Sequence, residues 1–261
     1  MKENLWPIVV ATVLAFILSL GYLFIEQRGY FAPANHESAN IAVTTTPPLQ
    51  IASRDPGGIA KIVPVKSELS LDIKYVYRRK AGGDFNTLTD NTILYSGDYY
   101  KIIFTPTEKT YVYIFQQGSS GSIYRLFPMT SFGGVTVNNF NPAQSGTEYH
   151  IPAKDKSFFL DDQTGTEKLY FIASRQKEEK LENQYQQVLI ARRGKDTHKI
   201  QLAQATLTKS IKMRDPGGIE SDSTQTETFS FSDKEGEQFT VIRDRLKSCD
   251  GCLSEVTFLH R

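Results

Sequence analysis

The chain of 261 residues has only two cysteines, and they stand close together as Cys249-Asp250-Gly251-Cys252. Asp-Gly favours a type I′ hairpin turn, and the flanking cysteines of such a hairpin face each other with Cα atoms about 5.5 Å apart, inside disulfide range. In an oxidising compartment the pair is expected to form a structural disulfide. Its short loop predicts only modest stabilisation. Thiol redox chemistry wants this spacing at a helix N-terminus within a βαβ pattern, which the sequence lacks. No His follows Cys252, so covalent haem attachment is unsupported. Zinc would need two more ligands, and His198 and His260 lie at no recognisable spacing. No metal and no cofactor is expected.

A second signal is an internal repeat. Ile51 to Ile59 reads IASRDPGGI and Ile211 to Ile219 reads IKMRDPGGI. Asp-Pro-Gly-Gly forms turns, because Pro fixes φ at the second position and Gly accepts positive φ at the third. Two copies suggest equivalent structural corners. The functional version makes Arg54, Asp55, Arg214 and Asp215 the contacts to a partner protein or a neighbouring copy. On that version Arg54→Ala and Arg214→Ala disrupt assembly without lowering the melting temperature.

Other echoes of chemistry fail on context. Asp162-Gln163-Thr164-Gly165-Thr166 has the outline of a phosphorylated pump loop, but Gln stands where Lys is needed. Ser174-Arg175-Gln176-Lys177 has serine–lysine spacing without a downstream Lys-Thr-Gly. Gly118 to Gly121 is one residue too short for a nucleophile elbow. P-loops, paired-histidine zinc helices and dinucleotide glycine fingerprints are absent. Asp161, Gln163 and Glu167 offer oxygens, but outside the calcium-loop pattern. His260, in line with Val256 and Phe258, reads as a packed strand residue. An envelope hydrolase or thiol enzyme therefore lacks an assembled constellation. A small-ligand or glycan receptor remains the alternative, with Tyr99, Tyr113 and Tyr124 as its candidate aromatic contacts.

Trp6 to Ile25, WPIVVATVLAFILSLGYLFI, carries no charge. As a helix it is about 30 Å long, one hydrocarbon thickness. A cleaved signal peptide has a shorter apolar run of about 7–15 residues, and Ala32-Pro33-Ala34 lies well beyond this one. The expectation is a retained single-pass anchor over 6–25 behind a short tail, 1–5, with the C-terminal domain outside the bacterial cell membrane. A tether and lead-in over 26–66 follows, rich in Ala, Asn, Thr and Pro. Thirty Lys plus Arg against 29 Asp plus Glu give a net charge of +1, which excludes nucleic-acid binding by bulk charge.

Period-two alternation begins near Ser67. Strands are predicted around Leu71–Tyr77, Tyr100–Thr105, Tyr111–Gln116, Ile123–Phe127, Glu148–Ile151, Ser157–Leu160, Leu169–Ala173, Phe229–Ser232, Gln238–Arg243 and Glu255–His260. Gly, Asn and Pro punctuate them. Two helices break the pattern within about 177–211: Leu181, Tyr185, Val188 and Leu189, then Ile200, Ala203, Leu207 and Ile211, recur at helical spacing. Gly194 is a natural stop for the first and Asp196 a natural N-cap for the second. The fold class is mainly β, an antiparallel, immunoglobulin-like sandwich over 67–261 with an inserted helical pair.

Ser96-Gly97-Asp98-Tyr99-Tyr100, Tyr111 to Gln116, Tyr124 to Pro128, Ile151-Pro152, Asp162 to Gly165 and Phe171 to Ser174 occur in an order that resembles a bacterial family known only as domain of unknown function 4384. The resemblance spans Gly97 to Ser174, about a third of the chain. It implies a β-rich extracytoplasmic or accessory module, often appended to anchors or other domains, and brings no catalytic residue with it. Tyr111 to Phe115, apolar or aromatic on both faces, reads as a strand covered on both sides. The sequence thus predicts a non-enzymatic, membrane-anchored envelope protein that binds protein partners as a structural or accessory subunit of a larger assembly.

Overall fold

Alternation of apolar and polar residues becomes strand wherever one face must be buried, and most of the chain after residue 68 is built this way. A computed structural model describes residues 69–220, 229–232, 238–241, 244–248 and 250–261. The strands are β1 (Leu69–Arg78), β2 (Asn86–Thr87), β3 (Thr92–Leu94), β4 (Tyr99–Pro106), β5 (Tyr111–Gln117), β6 (Ile123–Phe127), β7 (Met129–Phe132) and β8 (Val135–Asn139). They continue as β9 (Tyr149–Ile151), β10 (Phe158–Phe159), β11 (Gly165–Ser174), β12 (Gly218–Glu220), β13 (Phe229–Ser232), β14 (Gln238–Val241), β15 (Asp244–Ser248) and β16 (Leu253–His260). Between β11 and β12 lie helices α1 (Glu179–Gly194) and α2 (Thr197–Lys212).

One sheet runs β10-β4-β1-β15-β12, with β9 also paired to β4 and β2 to β1. The other runs β3-β16-β11-β5-β6. Leu71, Ile73 and Tyr75 from β1 and Tyr100, Ile102 and Phe104 from β4 meet Val112, Ile114, Leu169, Phe171, Val256 and Phe258 from the second sheet in one core. The far face of the second sheet is covered as well. Tyr113, Phe115, Ile123, Tyr170 and Ile172 pack against Leu181, Tyr185, Val188, Leu207 and Ile211 of the helical pair. β5 is therefore buried on both faces, as its sequence predicts. The order of layers is helical pair, second sheet, first sheet.

The architecture is mainly β with a helical pair, and the sheets are mixed. Strand pairing is antiparallel, as expected, except at β3, which runs parallel to β16 and sets Thr92, Ile93 and Leu94 against Phe258, Leu259 and His260. A chain that closes its last strand beside an early one gains a long-range pairing that no local alternation announces. Asp196 caps α2 as predicted, its Oδ1 accepting from Lys199 N at 3.1 Å. α1 runs through Gly194, and Lys195 takes the left-handed position with φ 54°. The hairpin reading of Cys249–Cys252 also changes: β15 and β16 belong to different sheets, so the segment between them is a corner. Among the described residues no helix is long and apolar enough to cross a membrane. The expected anchor over 6–25 and the expected tether and lead-in over 26–66 lie outside them.

Candidate functional site

Ser96-Gly97-Asp98-Tyr99-Tyr100 forms the corner that organises one end of the molecule. Asp98 N donates to Tyr95 O at 2.9 Å, closing a turn whose third residue, Gly97, has φ +92°. A side chain there would be strained, and its Cβ would lie 2.5 Å from Lys80 Cδ. The Asp98 carboxylate is almost wholly buried. It accepts from Tyr95 N at 2.9 Å, Lys80 N at 2.9 Å and Arg79 Nη1 at 2.7 Å. Burial pushes its pKa up, but these three donors outweigh burial and hold the carboxyl below the usual aspartate value. Arg79 lies over the rings of Tyr77 and Tyr95, at 5.0 and 5.3 Å.

Outside this corner, register places three large side chains in a row across the first sheet. Phe159 of β10 stands opposite Tyr99 of β4, and Tyr99 opposite Arg78 of β1. The Tyr99 and Phe159 ring centroids are 6.1 Å apart, and Arg78 lies 5.5 Å from the centre of the Phe85 ring. Val76 and Ile103 on the same face are buried, whereas Phe159 is 59% exposed. β10 ends the strand order of this sheet, so the row reaches an edge. The row sets an exposed aromatic and open backbone groups on the edge strand, with a cation two strands in on β1, a combination protein partners use.

Beneath the corner runs a polar network that sequence reading does not find. Tyr100 OH donates to Gln116 Oε1 at 2.6 Å, Gln116 Nε2 to Glu167 Oε2 at 2.9 Å, and Ser119 N to Glu167 Oε1 at 3.2 Å. Burial raises the pKa of Glu167 against the opposing effect of these donors and of nearby His260. His260, itself buried, has Nε2 3.1 Å from Ser96 Oγ. Serine, histidine and an acid thus share one region, in the order of a hydrolytic triad. The surroundings favour a structural role. Both Glu167 oxygens are engaged by Gln116 and Ser119, and the N–H groups of Ser96, Gly97 and Asp98 donate to Arg261 O, Leu160 O and Tyr95 O. The donors an oxyanion needs at that serine are already in use. Pairing of the chain's last strand to β3 and β11 brings Ser96 and Glu167 to His260, and no spacing in the sequence encodes that.

The three tyrosines proposed as ligand contacts do not share a groove. Tyr99 belongs to the edge row. Tyr113 is fully buried between the second sheet and α1, where its OH donates to Glu182 Oε1 at 2.9 Å and accepts from Glu178 N at 3.1 Å. Burial, chiefly, drives its pKa upward. It fastens the start of a helix, because alternation on a doubly covered strand points it away from solvent. Tyr124 on β6 is 37% exposed and carries the Arg192 guanidinium 4.4 Å above its ring.

Of the repeat, Arg54 and Asp55 lie outside the described residues and the second copy is a corner. Arg214 pairs with Glu178 through Nη1 at 3.1 Å and Nη2 at 2.7 Å, and Nη1 also donates to Gly251 O at 2.8 Å. Asp215 O accepts from Leu253 N at 2.9 Å, Gly217 N donates to Leu253 O at 2.6 Å, and the chain then enters β12 beside β15. The side chain of Asp215 is exposed. Arg214 thus joins the exit of α2, the start of α1 and the Cys corner. Cys252 is buried at that corner, and Cys249 lies outside the described residues. Among the described residues no three His, Cys, Asp or Glu side chains converge as a metal site.

No curated protein and no solved structure matches the chain. Residues 93–177 match the family described as Domain of unknown function (DUF4384), which covers the Ser96–Tyr100 corner, β10 and β11, and this third of the chain is a domain of that family.

Proposed function

We propose that the protein acts by binding, as a membrane-anchored accessory subunit of an envelope assembly, with residues 6–25 in the bilayer and the β domain on the extracytoplasmic side. The observation that carries this reading is the Phe159–Tyr99–Arg78 row, which leaves a large aromatic side chain 59% exposed on an edge strand. An exposed ring beside a second aromatic is the type of anchor that protein interfaces use. The engaged donors around Ser96 and the burial of His260 support binding over catalysis. The same pair of rings also suits a sugar face, so a glycan receptor is the second reading, favoured only by the Tyr99–Phe159 contact. Cys249 and Cys252 are proposed to be oxidised, bracing the corner.

The full chain extracted in mild detergent is expected in a stable complex larger than itself. Phe159→Ser with Tyr99→Ser should release it as a monomer while the melting temperature stays within about 2 °C of wild type. A wild-type chain that is monomeric under several mild conditions, or a variant that assembles normally, contradicts the proposal.

A further inference from the structure

The tip of the helical hairpin carries a second surface, remote in sequence from the edge row and independent of it. α1 buries Leu181, Tyr185, Val188 and Ala191, and α2 buries Gln204, Leu207 and Ile211. At 100° per residue, Ile190 falls about 200° around α1 from Val188, and Leu202 about 140° around α2 from Leu207. Both therefore face away from the sheet, and both are open, at 53% and 62% exposure. Neighbours at i+3 and i−3 or i−4 put Arg193 beside Ile190, and Lys199 and His198 beside Leu202. Lys195, in the left-handed turn between the helices, is also exposed. The one acid of this turn, Asp196, caps α2 and pairs with Lys199 at 3.3 Å. Arg192 does not join the surface: its Nη2 holds Ile123 O and Gln204 Oε1, at 2.7 and 3.0 Å.

Two bare aliphatics ringed by Arg193, Lys195 and Lys199 match a surface that is anionic outside and apolar a few ångströms in. A nucleic acid satisfies the cations but leaves Ile190 and Leu202 facing phosphates. The headgroup boundary of a bilayer satisfies both, with the long basic side chains reaching up to phosphate while the aliphatics enter the acyl boundary. We propose that the α1–α2 tip docks on anionic phospholipid, fixing how the β domain stands over the membrane.

A fluorescent amino acid at Thr197 in the full chain tests this. The chain is reconstituted in vesicles of phosphatidylcholine alone or of phosphatidylcholine mixed with phosphatidylglycerol, so residues 6–25 meet a bilayer in both. A blue shift confined to the anionic vesicles, reversed by high salt, is expected. Each of R193E, K195E and K199E should weaken it about fivefold or more, and I190S/L202S should abolish most of it. All five positions are exposed, so an unchanged circular dichroism melt shows that the fold is kept. Equal emission in the two vesicle types, a shift that survives the triple charge reversal, or a shift produced by polyglutamate and not by anionic vesicles overturns the proposal.

Discussion

Asp98 receives three donors from two separate parts of the chain, Arg79-Lys80 and Tyr95, and its burial makes each of them matter. Replacing it with Asn removes the charge that Arg79, Tyr95 N and Lys80 N converge on. Because Arg79 is part-exposed, its share is discounted, and the expected loss is roughly 2 kcal/mol at pH 7, read by denaturant unfolding. The folded-state pKa lies below the unfolded one, so this stability is present above about pH 4 and disappears as pH falls through the depressed value. The gap between wild type and Asp98→Asn should therefore be constant from pH 7 to 5 and close below pH 4; a gap that stays open in acid contradicts the assignment. In the sequence Asp98 marks a strand boundary and nothing more, since its donors sit as much as 19 residues away. Tyr113 is legible in the same partial way: the doubly apolar pattern of β5 says it is covered, but not that its hydroxyl fastens α1.

At the scale of elements, the Arg214 corner links helices to both sheets. Its guanidinium is largely buried and bidentate to Glu178. Arg214→Ala should cost about 2 kcal/mol and lower the melting temperature by several degrees. An unchanged melting temperature with lost assembly would instead restore the partner-contact reading of the repeat. The helical pair is plain in the sequence because apolar residues recur at helical spacing over two long runs, and Asp196 announces the second. β12 and β15 are not, because Gly218–Glu220 and Asp244–Ser248 lack an apolar period and become strands only by pairing with each other and with β1. The same competition decides the cysteine corner. Asp-Gly prefers a hairpin, but β15 pairs with β1 while β16 pairs with β11, so the turn carries the chain between sheets. The proposed Cys249–Cys252 bridge predicts an intact mass two hydrogens below the reduced chain, and blocking of both thiols without prior reduction would refute it.

Across the described residues, the helices cover one sheet, and exposed apolar side chains mark the hairpin tip and the β10 edge. The layer order follows from the doubly apolar pattern of β5, which requires cover on both faces. The edge row does not follow from any pattern, because Phe159, Tyr99 and Arg78 meet only through strand register. The measurement closest to the central claim places a photo-crosslinking benzoylphenylalanine at Phe159 in native membranes, with Asn183, exposed on α1, as control. Discrete protein adducts from position 159, absent from position 183 and reduced when Tyr99 is replaced by Ser, are the predicted result. The same weak smear from both positions, or no adduct from 159, would contradict a binding role for this edge.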